Sequence, residues 1–223
     1  MAAPKLCVLC GLHPATTKDH LPPKSIYPKP RDSGLQLFTV PSCSQCNNGD
    51  AKADEEFKMV VGFETGEVRD DSDQMAKSLA KTIAHNQRIA DEVFSSKKRT
   101  FVDRGSGLFT PETRLTFDFD LYQSVVQRIV RGLYWHETSN IASIHDTITV
   151  IPAIGMDSKL QFLFREMLPQ LETRQLNNDS VRYKFHLHDN ETSFWAINIF
   201  VRHTVFAMVA HQIQPNTDPE SAV

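Results

Sequence analysis

The side chains best suited to chemistry lie between Cys7 and Asp54. Two Cys-x-x-C pairs, Cys7/Cys10 and Cys43/Cys46, are separated by 32 residues and use up all four cysteines of the 223-residue chain. Two thiolates three positions apart can share one ion, and two such half-sites make a tetrahedral site for structural zinc. Four thiolates leave no coordination position open for water, so this zinc would hold the chain together without acting on a substrate. In small peptides such an ion contributes about 10–16 kcal/mol of apparent binding free energy. That is enough to replace the core that a short segment with few large apolar residues lacks. The plainer alternative is four unrelated reduced cysteines, and their paired spacing argues against it.

Asp19-His20 lies between the two pairs, in an expected short loop, and Asn47 directly follows the last cysteine. Hydrolysis of a phosphodiester needs a base to activate water and a cation to take up charge on the phosphate and the leaving oxygen. Imidazole is the side chain suited to the first task near neutral pH. A carboxylate and a carboxamide oxygen are hard ligands, which suits Mg2+ or Mn2+. At these residues the chain resembles the HNH (His-Me finger, ββα-metal) endonucleases, and among them the zinc-containing branch with a D-H…N pattern. The resemblance implies a general base at His20 and a catalytic divalent ion held by Asp19 and Asn47. Asp50 matches a position where that branch carries a further acidic residue, and Cys7, Cys10, Cys43 and Cys46 match its zinc frame. The likeness covers residues 5–62. The final histidine of the HNH name is absent, and Asp50, Asp54, Glu55 and Glu56 stand in that region instead; a carboxylate there could bind the ion itself.

Each of these residues also has a plainer role. Asp19-His20 could be a solvated loop, Asn47 could cap the following helix, and Asp50 could complement the helix dipole. Asp54, Glu55 and Glu56 read as a solvated helix face. Lys18 and Lys24 flank the Asp-His pair and Lys52 lies on the expected helix, where they would give phosphate contacts independent of sequence. Lys97-Lys98-Arg99 is a second basic cluster, either a clamp on a nucleic-acid backbone or a solvated helix end. His186 and His188 share a strand face but have no acidic or cysteine companion, so they read as surface residues. Phe194 and Trp195 read as core.

A net charge of -3 argues against a chain that coats nucleic acid through bulk positive charge. It leaves room for a nuclease, because a bound metal and a local basic face can supply the field. The 40% hydrophobic content allows a sizeable core. No apolar run approaches the roughly 20 residues needed to cross a bilayer, and the N-terminus lacks a secretory pattern. The expected setting is therefore cytoplasmic, with DNA as partner, RNA left open as the other nucleic acid, a homodimer possible and no membrane. Paired cysteines in a reducing compartment point to metal thiolates rather than disulfides.

The elements that must position these groups follow from periodicity and breakers. Leu35 to Val40 alternates as a strand that Pro41 would end, and the prolines after His20 keep that segment irregular. From Asp50 a helix would bury Ala53, Phe57, Val60 and Val61, giving a ββα unit. A helix over 73–94, with N-cap candidates at Asp71, Ser72 and Asp73, would turn Met75, Leu79, Ile83, Ala90, Val93 and Phe94 inward. Arg114 to Asp120 reads as a strand and 121–135 as an amphipathic helix. Thr147 to Ile151 reads as a strand and Lys159 to Leu168 as a short helix. Val181 to His188 and Phe194 to Val209 are β-rich, with a turn at Asp189-Asn190-Glu191.

The expected fold is α+β. It places a small zinc-stapled ββα-metal (HNH) module at 1–63 before a larger α+β region at 64–212 that would serve substrate selection, dimerisation or regulation. A disordered tail follows at 213–223. The expected function is divalent-metal-dependent hydrolysis of DNA. The alternative is a non-catalytic zinc module that binds nucleic acid or a protein partner; an RNase or an enzyme of branched DNA is a third reading.

Overall fold

A computed structural model describes residues 5–31, 33–65, 72–103, 107–154, 156–188 and 192–211. The chain is a mixed α+β structure. Its elements run β1 (Thr17–His20), β2 (Thr39–Ser42), α1 (Ser44–Asn48), α2 (Ala51–Thr65), α3 (Ser72–His85), α4 (Gln87–Ser96), β3 (Lys98–Asp103) and β4 (Phe109–Arg114). There follow α5 (Phe119–Thr138), β5 (Thr147–Pro152), α6 (Ser158–Met167), β6 (Arg174–Leu176), β7 (Val181–His188), β8 (Thr192–Ile199) and β9 (His203–Ala210). Two compact units interleave along the sequence. The first comprises Met1–Pro22, Gln36–Gly49 and Val126–Val223; the second comprises Pro23–Leu35 and Asp50–Val125. No described helix is long and apolar enough to cross a membrane.

The first unit contains a five-stranded antiparallel sheet in the order β5-β9-β8-β7-β6. Side chains alternate between faces along a strand. Tyr183, Trp195, Ile197, Val205 and Ala207 therefore share one buried face. The C-terminal part of α5 lies on that face: Gln127 Nε2 donates to the Ile148 carbonyl at 3.1 Å, and the Tyr183 hydroxyl donates to Glu137. The opposite face carries Phe194, Ala196 and Phe206 under Phe164 of α6, with the Phe164 and Phe206 rings stacked at 4.1 Å. The β-rich run from Phe194 to Val209 supplies two strands, β8 and β9. It reverses through Phe200 and Val201 at φ 51° and 70°, and Asn198 Nδ2 holds the reversal by donating to the Val201 carbonyl at 3.0 Å. Periodicity cannot reveal such a turn when an aromatic and a β-branched residue occupy it. The expected turn at 189–191 and the expected tail at 213–223 lie outside the described residues.

The same unit holds the β1–β2 hairpin, paired antiparallel with Asp19 opposite Val40 and His20 opposite Thr39. Asp19-His20 thus sits on a strand, where a loop was expected. The second strand begins later than Leu35 and continues through Pro41, whose carbonyl accepts from Val8 N at 2.9 Å. Proline is tolerated because a two-stranded hairpin is all edge. Leu21 extends the pairing by donating its N–H to the Phe38 carbonyl at 3.1 Å. Gly132 lets α5 approach this hairpin closely: a Cβ there would stand 2.1 Å from Leu21 Cδ1.

The second unit packs α2, α3 and α4 with the first turns of α5. Ala53, Phe57, Val60 and Val61 are buried, as the spacing from Asp50 implies. The Phe57 and Tyr122 rings stack at 5.6 Å. Glu56 departs from the expected solvated face: it is buried, and it accepts from Asp118 N at 3.0 Å. Burial pushes its carboxyl above the usual carboxylate range.

The expected helix over 73–94 is two helices broken at Asn86. That residue is extended (φ -124°, ψ 98°), and its side chain accepts from Ile89 N to start α4. The register therefore restarts, burying Ile89 and leaving Phe94 68% exposed. The strand expected over 114–120 does not form: β4 stops at Arg114, residues 115–118 are irregular, and Asp118 caps the following helix. Its carboxylate accepts from Asp120 N and Leu121 N, both at 3.1 Å, and opens α5. Of the expected α3 caps, Asp71 and the side chains of Ser72 and Asp73 lie outside the described residues.

Candidate functional site

The first cysteine pair sits in a tight N-terminal hairpin. Leu6 bridges Pro14, and Cys7 N donates to the His13 carbonyl at 2.8 Å. Gly11 N returns to the Cys7 carbonyl at 2.8 Å, and Gly11 holds φ 67°, a left-handed turn that glycine adopts without steric cost. The second pair opens α1: Cys43 is its N-cap, and Cys43 Sγ accepts from Cys46 N at 3.4 Å. The bond from Val8 N to the Pro41 carbonyl ties the two turns together.

As a result, the ligand atoms of Cys7, Cys10, Cys43 and Cys46 all lie within 4.8 Å of one another. Sulfurs about 2.3 Å from a tetrahedral zinc would be separated by about 3.8 Å, so the donor set fits a single ion. Among the described residues no other group of three or more Cys, His, Asp or Glu side chains is close enough to share one.

The electrostatics of the cluster favour a cation. Burial opposes ionisation of Cys10, yet backbone N–H groups around Leu12 and His13 and the neighbouring thiols outweigh it and bring the thiol down to about 7. Cys46 moves the other way, pushed up by burial and by the Cys43, Cys7 and Cys10 sulfurs. Cys7 is raised as well, chiefly by burial. Four sulfurs this close cannot all ionise against one another, whereas a metal ion lets them do so.

The residues expected to act on a substrate are distributed as follows. Asp19 and His20 are consecutive on β1, and alternation sends them to opposite faces; Asp19 is buried and His20 half-buried. Asn47 lies within α1, so it does not cap α2. Its Nδ2 donates to the Lys18 carbonyl at 3.3 Å, which fixes the carboxamide against the strand carrying the Asp-His pair. Among the described residues no donor reaches Asn47 Oδ1. Asp50 belongs to the second unit, immediately before α2, and its carboxylate accepts from Ser124 Oγ at 3.2 Å. Lys18 is exposed in the first unit; Lys24 and Lys52 are exposed in the second. His186 and His188 are exposed on β7, as expected of surface residues.

Two arginines of α5 carry no sequence signal and yet lie at the site. Arg128 Nη1 stands 3.6 Å from Asp19 Oδ2, with both side chains largely buried. Arg131 donates to the Ala142 and Ser143 carbonyls at 3.1 and 2.8 Å. Burial lowers its pKa, while Asp146, Cys10 and Cys46 pull it back up. Its guanidinium is thus within electrostatic reach of the Cys10 and Cys46 sulfurs. Only folding brings Arg128 here, 82 positions after Cys46 in sequence.

A buried polar relay also escaped the sequence reading. His211 Nδ1 lies 2.9 Å from Asp146 Oδ2, and its Nε2 lies 3.5 Å from Ser193 Oγ. Ser193 is buried, and its hydroxyl accepts from Trp195 Nε1 at 2.9 Å. That hydroxyl is shielded from solvent and already engaged. The relay thus ties the end of β9 to the loop before β5.

No protein-family model, curated protein or solved structure matches this chain.

Proposed function

We propose that the β1–β2–α1 module is a zinc-stapled, HNH-type endonuclease site that hydrolyses DNA phosphodiester bonds. The observation that carries the reading is the bond from Asn47 Nδ2 to the Lys18 carbonyl. It docks the residue after the last zinc cysteine onto the strand of Asp19 and His20 and leaves Oδ1 as the end of the carboxamide open to a hard cation. Zinc on Cys7, Cys10, Cys43 and Cys46 would fix both turns and hence that docking. Asp19 and Asn47 would hold Mg2+ or Mn2+, which supplies positive charge to a phosphate and its leaving oxygen. His20 would take the proton from the attacking water. Arg128 balances the Asp19 carboxylate, and a phosphate arriving at the site would give its guanidinium a second anion to hold. Lys18, with Lys24 and Lys52 as further candidates, would contact the nucleic-acid backbone without reading sequence.

The Asp19–Arg128 pair also favours a second reading, because a carboxylate already balanced by a guanidinium suits a non-catalytic zinc module that binds nucleic acid or protein. Plasmid cleavage by the full chain with Mg2+ or Mn2+ separates the two. The endonuclease reading expects nicking or linearisation that falls by at least about a hundredfold in His20→Ala while bound zinc is unchanged. Equal cleavage by wild type and His20→Ala would remove His20 as base, and no cleavage of duplex, branched or single-stranded DNA or of RNA would leave the binding module.

A further inference from the structure

Residues 97–114 read KKRTFVDRGSGLFTPETR, with five basic and two acidic residues in a chain whose net charge is -3. This segment supplies β3 and β4, which among the described residues pair only with each other. The register sets Arg99 opposite Thr113, Phe101 opposite Pro111 and Asp103 opposite Phe109. One face of the ribbon therefore lines up Arg99, Phe101 and Asp103 with Thr113, Pro111 and Phe109. Phe101 is 65% and Phe109 69% exposed. The other face starts with Lys98 opposite Arg114. Lys97, Lys98, Arg99 and Arg114 are all exposed and make no ion pair among the described residues.

Two phenyl rings standing in water are unfavourable unless something covers them, and the charges around them restrict what that can be. A protein partner's interface core would be depleted of such charges. A polyanion whose repeating unit carries a flat aromatic face satisfies both features at once. Unpaired nucleotides stack on exposed aromatic side chains while lysine and arginine track their phosphates.

We infer that the β3–β4 ribbon is a nucleic-acid-binding arm. It stacks unpaired bases on Phe101 and Phe109 and holds the backbone with Lys97 and Arg99, while Lys98 and Arg114 add charge from the opposite face at the same end of the ribbon. The inference does not depend on the metal site being catalytic.

The test is fluorescence anisotropy of the full chain, zinc-loaded and without added Mg2+ or Mn2+. The probes are a labelled single-stranded DNA of about 30 nucleotides and its duplex, a length that exceeds one stacking site. Tighter binding to the single strand is expected. The double variant Phe101→Ser/Phe109→Ser should weaken it by roughly tenfold or more while leaving the salt dependence unchanged. The triple variant Lys97→Ser/Lys98→Ser/Arg99→Ser should lower the slope of log affinity against log salt by about 2. The triple variant replaces no apolar side chain, so it decides the matter if the aromatic variant fails to fold. Wild-type affinity in both variants overturns the proposal. So does an aromatic variant that binds DNA normally but converts a dimer to a monomer in sedimentation, or a ribbon-dependent chain that binds phosphatidylserine vesicles and neither DNA. If His20→Ala leaves this binding intact while cleavage is absent in every form, the nuclease reading falls and the ribbon stands.

Discussion

In the segments holding Cys7 to Asn48 that belong to the first unit, the buried apolar side chains are Val8, Leu9, Leu21 and Val40 beside three of the cysteines. In the sheet of the same unit, Trp195, Tyr183, Ile197, Ile199, Val205, Ala207 and Val209 are buried together against α5. The knuckle region is fixed by directed bonds, Val8 to Pro41, Cys7 to His13 and Cys46 to Cys43, to which an ion on the four sulfurs would add its own. The sheet is fixed by area removed from water, which is roughly additive and without direction. Directed bonds to one ion fail together, whereas a spread core loses stability in increments. A hydrolytic site held to fractions of an ångström gains from the first kind of support, and a scaffold from the second.

Removing the metal should have the largest effect and should stay on one side of this contrast. Cys43→Ser, or wild type treated with a strong chelator, is expected to lose bound zinc and with it about 10–16 kcal/mol of apparent binding free energy. Hydrogen exchange should then show loss of protection over 5–20 and 36–49 with protection over 181–210 kept. Equal loss in both regions would show that the contrast is wrong and that the ion organises the whole unit. Trp195→Ala makes the reciprocal change. Its indole is fully buried and stacks on Phe185 at 5.1 Å, so the cavity should cost about 3–5 kcal/mol of unfolding free energy in urea melts. Zinc content should not change. Zinc lost in proportion to stability would mean that the sheet builds the knuckles.

The two regions were also legible in the sequence to different degrees. Cysteine spacing alone specified the cluster, because thiolates must stand close to share an ion and few other arrangements use Cys-x-x-C twice. Richness in β-branched and aromatic residues identified β7, and helical spacing identified α2 and most of α5. Sequence reading was weakest where one side chain redirects the chain. Asn86 and Asp118 start helices inside apparently continuous patterns, and the reversal at Phe200-Val201 uses residue types that favour strands. Arg128 and Arg131 were invisible for another reason: they meet Asp19 and the cysteines only after α5 has packed, and no local pattern encodes an approach made possible by Gly132.

Asn177 joins the two regions and gives the smallest and most discriminating prediction. It sits in the turn between β6 and β7 at φ 54°, buried, with Asn178 and Asp179 also left-handed. Its Nδ2 donates to the Leu21 carbonyl at 3.4 Å, and its Oδ1 accepts from Phe38 N. The carboxamide therefore stands in for a further rung of pairing at the end of the β1–β2 hairpin, one residue beyond His20. Asn177→Ala leaves a donor and an acceptor without those partners and should cost about 1–3 kcal/mol. Its effect on exchange should be confined to 20–22 and 37–39 together with its own turn. Asn177→Asp keeps acceptance from Phe38 but cannot donate to Leu21 when ionised, so it should fall between wild type and the alanine variant on the hairpin. If hairpin protection is unchanged in both variants, the sheet does not steady the strand that carries His20, and the knuckle region depends on its metal alone.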